Sequence, residues 1–344
     1  MTKKRFVVFI VTALILTGAW GVTSPSSAEA NSPVFQKGLT LPSWWHDTLC
    51  SASADESLRT LADTGADWIQ IVPTWYQQDG TSNKIQSNRD RTIDEECLLH
   101  AITRAHELGM KVMLKPHVDA LDGTWRGEFE PKQPRQWFKS YEQMMKYYAR
   151  LAQANGVEVL SVGCEFGRLT GPNYTRSWEK IIRSVRKIYS GSLIYAANWS
   201  GSGEYNIRFW DKLDYIGIDA YFELTQKRDP TVDELVAAWQ RYLPGLKSLH
   251  AQWQMPIVFT EIGYRSVDGA NIHPWKSGSD GSVDLQEQAD CYEAAFSSLW
   301  DQPWFYGTYW WSWEPRPDAG GSEDADYTPQ NKPAEDVIKS WYSQ

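Results

Sequence analysis

From Lys37 to Pro315 the chain alternates short apolar runs with longer amphipathic stretches. Eight runs have strand character: KGLTLPSW (37–44), DWIQIVPTW (67–75), KVMLKPHVD (111–119), VEVLSVGCE (157–165), SLIYAANWS (192–200), LDYIGIDAY (213–221), PIVFTEIGY (256–264) and GTYWWSWEP (307–315). Most of the stretches between them place apolar residues at helical spacing. Thr92-Ile93-Asp94-Glu95 reads as a capping box that opens a helix with Leu98, Ile102, Ala105 and Leu108 on one face. Gly109 is its stop signal. Thr231 to Glu234 repeats the device before Leu235, Ala238 and Tyr242. Longer helices are predicted over 135–154, 173–189 and 284–300, with only a short helix around 205–212.

Strand and helix in alternation imply a parallel α/β architecture. Eight such units in about 300 residues fit a single-domain (β/α)8 TIM barrel. A doubly wound open sheet usually has fewer strands and often a glycine-rich phosphate loop. Neither a GxGxxG nor a P-loop pattern occurs.

Residues 1–30 read differently. Lys3, Lys4 and Arg5 precede an apolar run from Phe6 to Ile15, and Ala28-Glu29-Ala30 fits a small-residue cleavage site. That is the pattern of a secretory signal peptide. The apolar run is short for a membrane span. The expected products are a secreted, extracellular catalytic domain over 31–344 and a mature form without a membrane anchor. Losing three positive charges and one negative takes the net charge from −9 to −11. An acidic chain is a poor partner for nucleic acid; a monomer is expected.

The four cysteines, Cys50, Cys97, Cys164 and Cys291, allow three full pairings, and spacing does not choose among them. No Cys or His cluster has zinc spacing, and the chemistry read from the strand ends below needs neither a metal nor an organic cofactor. Nineteen Trp outnumber eleven Phe. Part of that surplus is hydrophobic filling. The rest suits a carbohydrate cleft, because flat indoles stack on the C–H faces of sugar rings.

A TIM barrel carries its site on the C-terminal ends of the strands. The residues falling there are Trp44, Trp45 and His46; Trp75 and Tyr76; His117 and Asp119; Glu165; Asn198 and Trp199; Asp219 and Tyr221; Glu261, with Tyr264 and Arg265 beyond; and Trp310, Trp311, Trp313 and Glu314. A lone glutamate at a strand end is most often an ion-pair partner. Glu165 and Glu261 each follow an apolar strand, on opposite sides of the barrel. Two carboxylates facing across an aromatic cleft suit glycoside hydrolysis, one as proton donor and the other as nucleophile, roughly 5–5.5 Å apart in a retaining enzyme. A phenol such as Tyr221 beside one carboxylate favours its ionised form. Cys164 reads as a small buried filler.

With these residues in view, the chain resembles clan A of the glycoside hydrolases and, within it, glycoside hydrolase family 113, the secreted β-mannanases with a bare barrel. The resemblance spans nearly all of 37–315 and rests on ADWIQIVPTWYQ, LKPHVD, SVGCEFGR, AANWSG, FWDKLDYIGIDAYFEL and FTEIGYRS. It implies endo-acting, retaining hydrolysis of β-1,4-mannan, glucomannan or galactomannan. Glu165 would be the acid/base, Glu261 the nucleophile and Tyr221 the residue that orients it. Trp45, Trp75, His117, Asp119, Asn198, Trp199, Trp311 and Trp313 are the expected substrate contacts, with Trp310 the alternative on its strand. Many clan members carry Asn directly before the acid; here that place is Cys164. The sugar 2-hydroxyl must then be read by another group, with Asn198, His117 and Asp119 the candidates. Xylan and glucan remain rivals to mannan, and a non-catalytic glycan-binding barrel is the more distant alternative.

Overall fold

Two prolines decide where the chain leaves the main sheet. Proline has no N–H to give to a ladder, so it sits at strand ends and edges. Pro73 splits the predicted strand 67–75, and Pro116 splits 111–119. In the computed structural model, which describes residues 35–200, 203–278 and 281–344, the strands are β1 (Gln36–Pro42), β2 (Trp68–Val72), β3 (Thr74–Gln77), β4 (Lys111–Leu114), β5 (His117–Ala120), β6 (Val159–Cys164), β7 (Ser192–Asn198), β8 (Tyr215–Asp219), β9 (Ile257–Ile262) and β10 (Phe305–Trp310). Eight of them close a parallel barrel in the order β1-β10-β9-β8-β7-β6-β4-β2. The continuations β3 and β5 pair with each other above the rim. The expected signal peptide lies outside the described residues. None of the described helices is long and apolar enough to cross a membrane.

The described helices are α1 (Ala52–Ala62), α2 (Glu95–Glu107), α3 (Pro134–Ala154), α4 (Thr175–Arg186), α5 (Gly203–Asn206), α6 (Val232–Trp239), α7 (Leu243–Trp253), α8 (Leu285–Leu299) and α9 (Pro333–Tyr342); α2, α3, α4, α6 and α8 fall where helices are predicted, whereas α1, α7 and α9 add to them. Around 205–212 the chain forms only the four-residue α5 and a single 3-10 turn at Trp210–Lys212. Thr231 and Glu234 form the expected capping box of α6. The Thr92 box does not form. The Thr92 hydroxyl donates to the Thr74 carbonyl at the start of β3 (2.8 Å). Asp94, without a side-chain cap bond, stands at the start of α2 instead.

Strand alternation builds the barrel interior in layers. Trp68, Met113, Val159, Ile194, Tyr215, Val258 and Tyr309 form an apolar floor contributed by seven strands. Two residues further on stand Gln70 in β2, Lys115 just past the end of β4 and Thr260 in β9. Gln70 donates to the Thr260 carbonyl (2.9 Å). The interior thus passes from apolar to hydrogen-bonded to charged towards the mouth. Register shifts interrupt the ladders of β6 with β7 and of β8 with β9 just before Cys164 and Glu261. Such bulges re-aim side chains. Regular alternation from Val258 and Thr260 would send Glu261 outward towards the helices; the irregularity turns it into the barrel.

Candidate active site

Glu165 follows β6 directly, with φ +54°, a left-handed conformation that costs a non-glycine residue about 1–3 kcal/mol. Backbone bonds fix it: its N–H donates to the Ala196 carbonyl (2.8 Å), and its carbonyl accepts from Gly167 (2.7 Å). The carboxylate then faces Asn198 Nδ2 at 2.9 Å and Arg126 Nη1 at 3.2 Å. Burial raises its pKa above the usual carboxylate range. Arg126, Lys115 and the Asn198 amide pull the other way, while the charge of Glu261 adds to the rise.

Glu261 on β9 is held differently. Lys115 Nζ donates to Oε1 at 2.6 Å and the Tyr221 hydroxyl to Oε2 at 2.8 Å. Lys115 has no exposed surface, and it also donates to Asp219 Oδ1 (2.8 Å). Burial alone would lower the lysine pKa, but Asp219 and Glu261 outweigh it and the ammonium stays charged. Asp219 accepts further bonds from Thr260 Oγ1 (2.7 Å) and Cys164 Sγ (3.4 Å). One carboxyl is therefore pushed towards its neutral form, and the other is bound by a cation and a phenol. That division is the one two-carboxylate catalysis requires.

Both glutamates open on one cavity of about 670 Å³ that His117, Asn198, Trp199, Tyr221 and Trp311 also line. His117 is buried with neither ring nitrogen bonded, and it lies parallel to Trp311 at 6.4 Å. Burial, then Arg126 and Lys115, hold its pKa well below the ordinary value, so the ring is neutral. A neighbouring cavity of about 430 Å³ shares Trp44, Trp125 and Arg126 with the first. Trp45 and Asp119 line this second space, and Asp119 accepts from Arg126 Nη2 (2.6 Å).

Two expected contacts are corrected. Trp75 turns away from the mouth and packs on Tyr147 and Tyr148 of α3. After the break at Pro73 it is Tyr76 that faces the second cavity. Trp313 is buried: its backbone N–H donates to Thr40 (2.7 Å) and its indole N–H to Ser57 Oγ of α1 (3.0 Å). Trp310 is buried too, stacked on Tyr292 at 3.7 Å. Trp311 is the indole of this segment that reaches the cavity; the Trp311–Ser312 peptide is cis.

Several site residues escaped the sequence reading. Lys115 stands inside LKPHVD, where a lysine in an apolar strand was itself a signal. Trp125, Trp275 and Tyr327 lie on loops and Arg126 opens a single 3-10 turn (Arg126–Glu128), where no periodicity points to a side. Tyr327 belongs to the polar segment 314–333, and its hydroxyl donates to the Pro274 carbonyl (2.5 Å). That segment forms part of the cavity wall.

A closed eight-stranded barrel with paired glutamates at its mouth is the frame of a glycoside hydrolase. The profile of Glycoside Hydrolase Family 113 matches residues 44–332, and the chain belongs to that family. It is similar to a family 113 β-mannanase from Alicyclobacillus acidocaldarius, with 32% identity over 90% of this chain and 97% of the other and a TM-score of 0.82. A second structure, a family 113 β-1,4-mannanase in complex, shows 29% identity over 90% and 99%, also at 0.82. A β-glucuronidase from Ruminococcus gnavus, at 14% identity over 90% of this chain and 50% of that one with a TM-score of 0.62, shares the fold alone. No curated protein matches the chain. Family membership makes the substrate an oligosaccharide or polysaccharide.

Proposed function

We propose that the protein is a secreted, monomeric endo-β-1,4-mannanase that works with retention of configuration. The observation that carries this reading is the unequal environment of Glu165 and Glu261 around one aromatic cavity. Glu165, kept protonated by burial, gives its proton to the leaving glycosidic oxygen. Glu261, held by Lys115 and oriented by Tyr221, bonds to the anomeric carbon as the glycosidic C–O bond breaks. Glu165, now a carboxylate, takes a proton from water, and that oxygen displaces Glu261. Trp199 and Trp311 offer flat faces to sugar rings. His117, neutral and unbonded beside Glu261, offers a ring nitrogen to a hydroxyl. The choice of mannan rests on the likeness to the two mannanases.

The test is a reducing-sugar assay on mannan, glucomannan, galactomannan, xylan and β-glucan, with wild type, Glu165→Gln and Glu261→Gln. Cleavage confined to the mannans and lost by several orders of magnitude in both variants is expected. Preference for xylan or glucan would move the substrate assignment. Tight glycan binding without cleavage would reduce the barrel to a binding module.

A further inference from the structure

The cation beside Glu165 already has an acid of its own. Arg126 Nη2 donates to Asp119 Oδ1 at 2.6 Å, Nη1 to Glu165 Oε2 at 3.2 Å, and Nε to the Val118 carbonyl at 3.3 Å. Nη1 also reaches Cys164 Sγ at 3.6 Å. We propose that the Arg126–Asp119 ion pair is a positioning device that sets how firmly Glu165 holds its proton through the catalytic cycle. The inference rests on reading Glu165 as the acid.

That acid must be neutral before cleavage and charged afterwards. In the first step the Glu261 oxygen bonds to the anomeric carbon. The glycosidic C–O bond breaks, its electron pair goes to the leaving oxygen, and that oxygen takes the Glu165 proton. One negative charge thus moves from Glu261 to Glu165. An unshared guanidinium at this distance would favour the charged form throughout and make the resting enzyme lose the proton at lower pH. No cation at all would leave the new carboxylate buried without a partner. A guanidinium tied to a permanent carboxylate lies between these extremes. The pair is nearly neutral before cleavage, yet it keeps an N–H aimed at Glu165 for the intermediate.

The balance is visible in Glu165 itself: burial outweighs Arg126, and its pKa is raised. The other titratable groups around it are Lys115, His117, Cys164, Tyr195, Asp219 and Glu261. Lys115 pulls the Glu165 pKa down, and Glu261 pushes it up. Asp119 is the group whose removal changes what Arg126 exerts on Glu165.

The two halves of this ion pair should therefore act in opposite directions. The basic limb of kcat/KM against pH, measured on mannohexaose, reports the free-enzyme acid. Arg126→Met should move it up by about one pH unit. Asp119→Asn should move it down by about half a unit, because the guanidinium then acts on Glu165 unshared. Arg126→Lys and Asp119→Glu should bring each limb back towards wild type. A scaffold role would lower kcat or melting temperature with the limbs unmoved, or shift both variants the same way; either result overturns the proposal. If Arg126→Met does not fold, the Asp119 variants decide: a downward shift that Asp119→Glu reverses supports it, and no shift overturns it. Glu165→Ala with dinitrophenyl β-mannobioside and azide separates the two levels. Azide acceleration with a β-glycosyl azide product upholds Glu165 as the acid, so unmoved limbs then remove only the ion-pair inference. No acceleration removes the reading of Glu165 itself.

Discussion

Lys115 Nζ lies 2.6 Å from Glu261 Oε1 and 2.8 Å from Asp219 Oδ1, buried beneath both. One ammonium binds two carboxylates, and only one of the two, Glu261, reaches the cavity. Lys115→Met would leave both acids without their buried cation. The expected result is a fall in kcat of about 10²–10³-fold with KM little changed. Steady-state kinetics on mannohexaose check this, and a kcat near wild type would assign Lys115 to the scaffold alone.

The aromatic wall should act on binding more than on chemistry. Trp199→Ala and Trp311→Ala each remove one face of the cavity that contains the two glutamates. Losing a stacking partner worth about 0.5–1.5 kcal/mol should raise KM by roughly two- to tenfold on mannohexaose. Trp75→Ala and Trp313→Ala serve as contrasts. Both rings pack within the fold, so these variants should lower the melting temperature and leave KM near wild type.

Cysteine accessibility offers a check on the fold. Cys50 and Cys97 form a disulfide across 47 residues, joining the turn after β1 to α2. Cys164 and Cys291 are buried thiols, and burial pushes both well above the ordinary thiol pKa. Iodoacetamide should label neither thiol in the native protein and both after unfolding, as read by mass spectrometry. The double variant Cys50→Ser, Cys97→Ser should lose about 2–4 kcal/mol of stability. Labelling of Cys164 in the native state would contradict its placement under the site.

Glu204 on α5 links stability to pH. Its Oε2 is buried without a hydrogen-bond partner among the described residues, and burial raises its pKa to about 8. The unfolded chain ionises this carboxyl near 4.5. Between those values the folded state holds the extra proton, so stability falls as pH rises from 4.5 towards 8. Glu204→Gln should match wild type below pH 4 and melt higher at pH 8. Parallel melting curves across that range would place the carboxyl in a solvated setting.

The barrel was legible because the strands are short, largely apolar runs between amphipathic stretches; the ends of two were not, since the predicted strands 67–75 and 111–119 run through Pro73 and Pro116. Glu165 and Glu261 stood out as carboxylates at the ends of such runs. The direction of Glu261 was not legible, because a register shift turns it and sequence periodicity carries no trace of that. Trp311 and Trp313 look alike in the sequence. Their backbone partners, Ile262 for one and Thr40 for the other, send the first to the cavity and the second under α1. Arg126 had no signal, since it reaches Glu165 from a single 3-10 turn between β5 and α3. Cys164, where a clan relative often carries Asn, now has a place: its thiol donates to Asp219 and accepts from Arg126.

Hydrolysis of mannohexaose followed by proton NMR from the first minutes tests the central claim most directly. The double displacement through Glu165 and Glu261 predicts shorter manno-oligosaccharides whose new reducing ends appear first as the β-anomer and mutarotate later. New ends that appear first as the α-anomer would contradict the account.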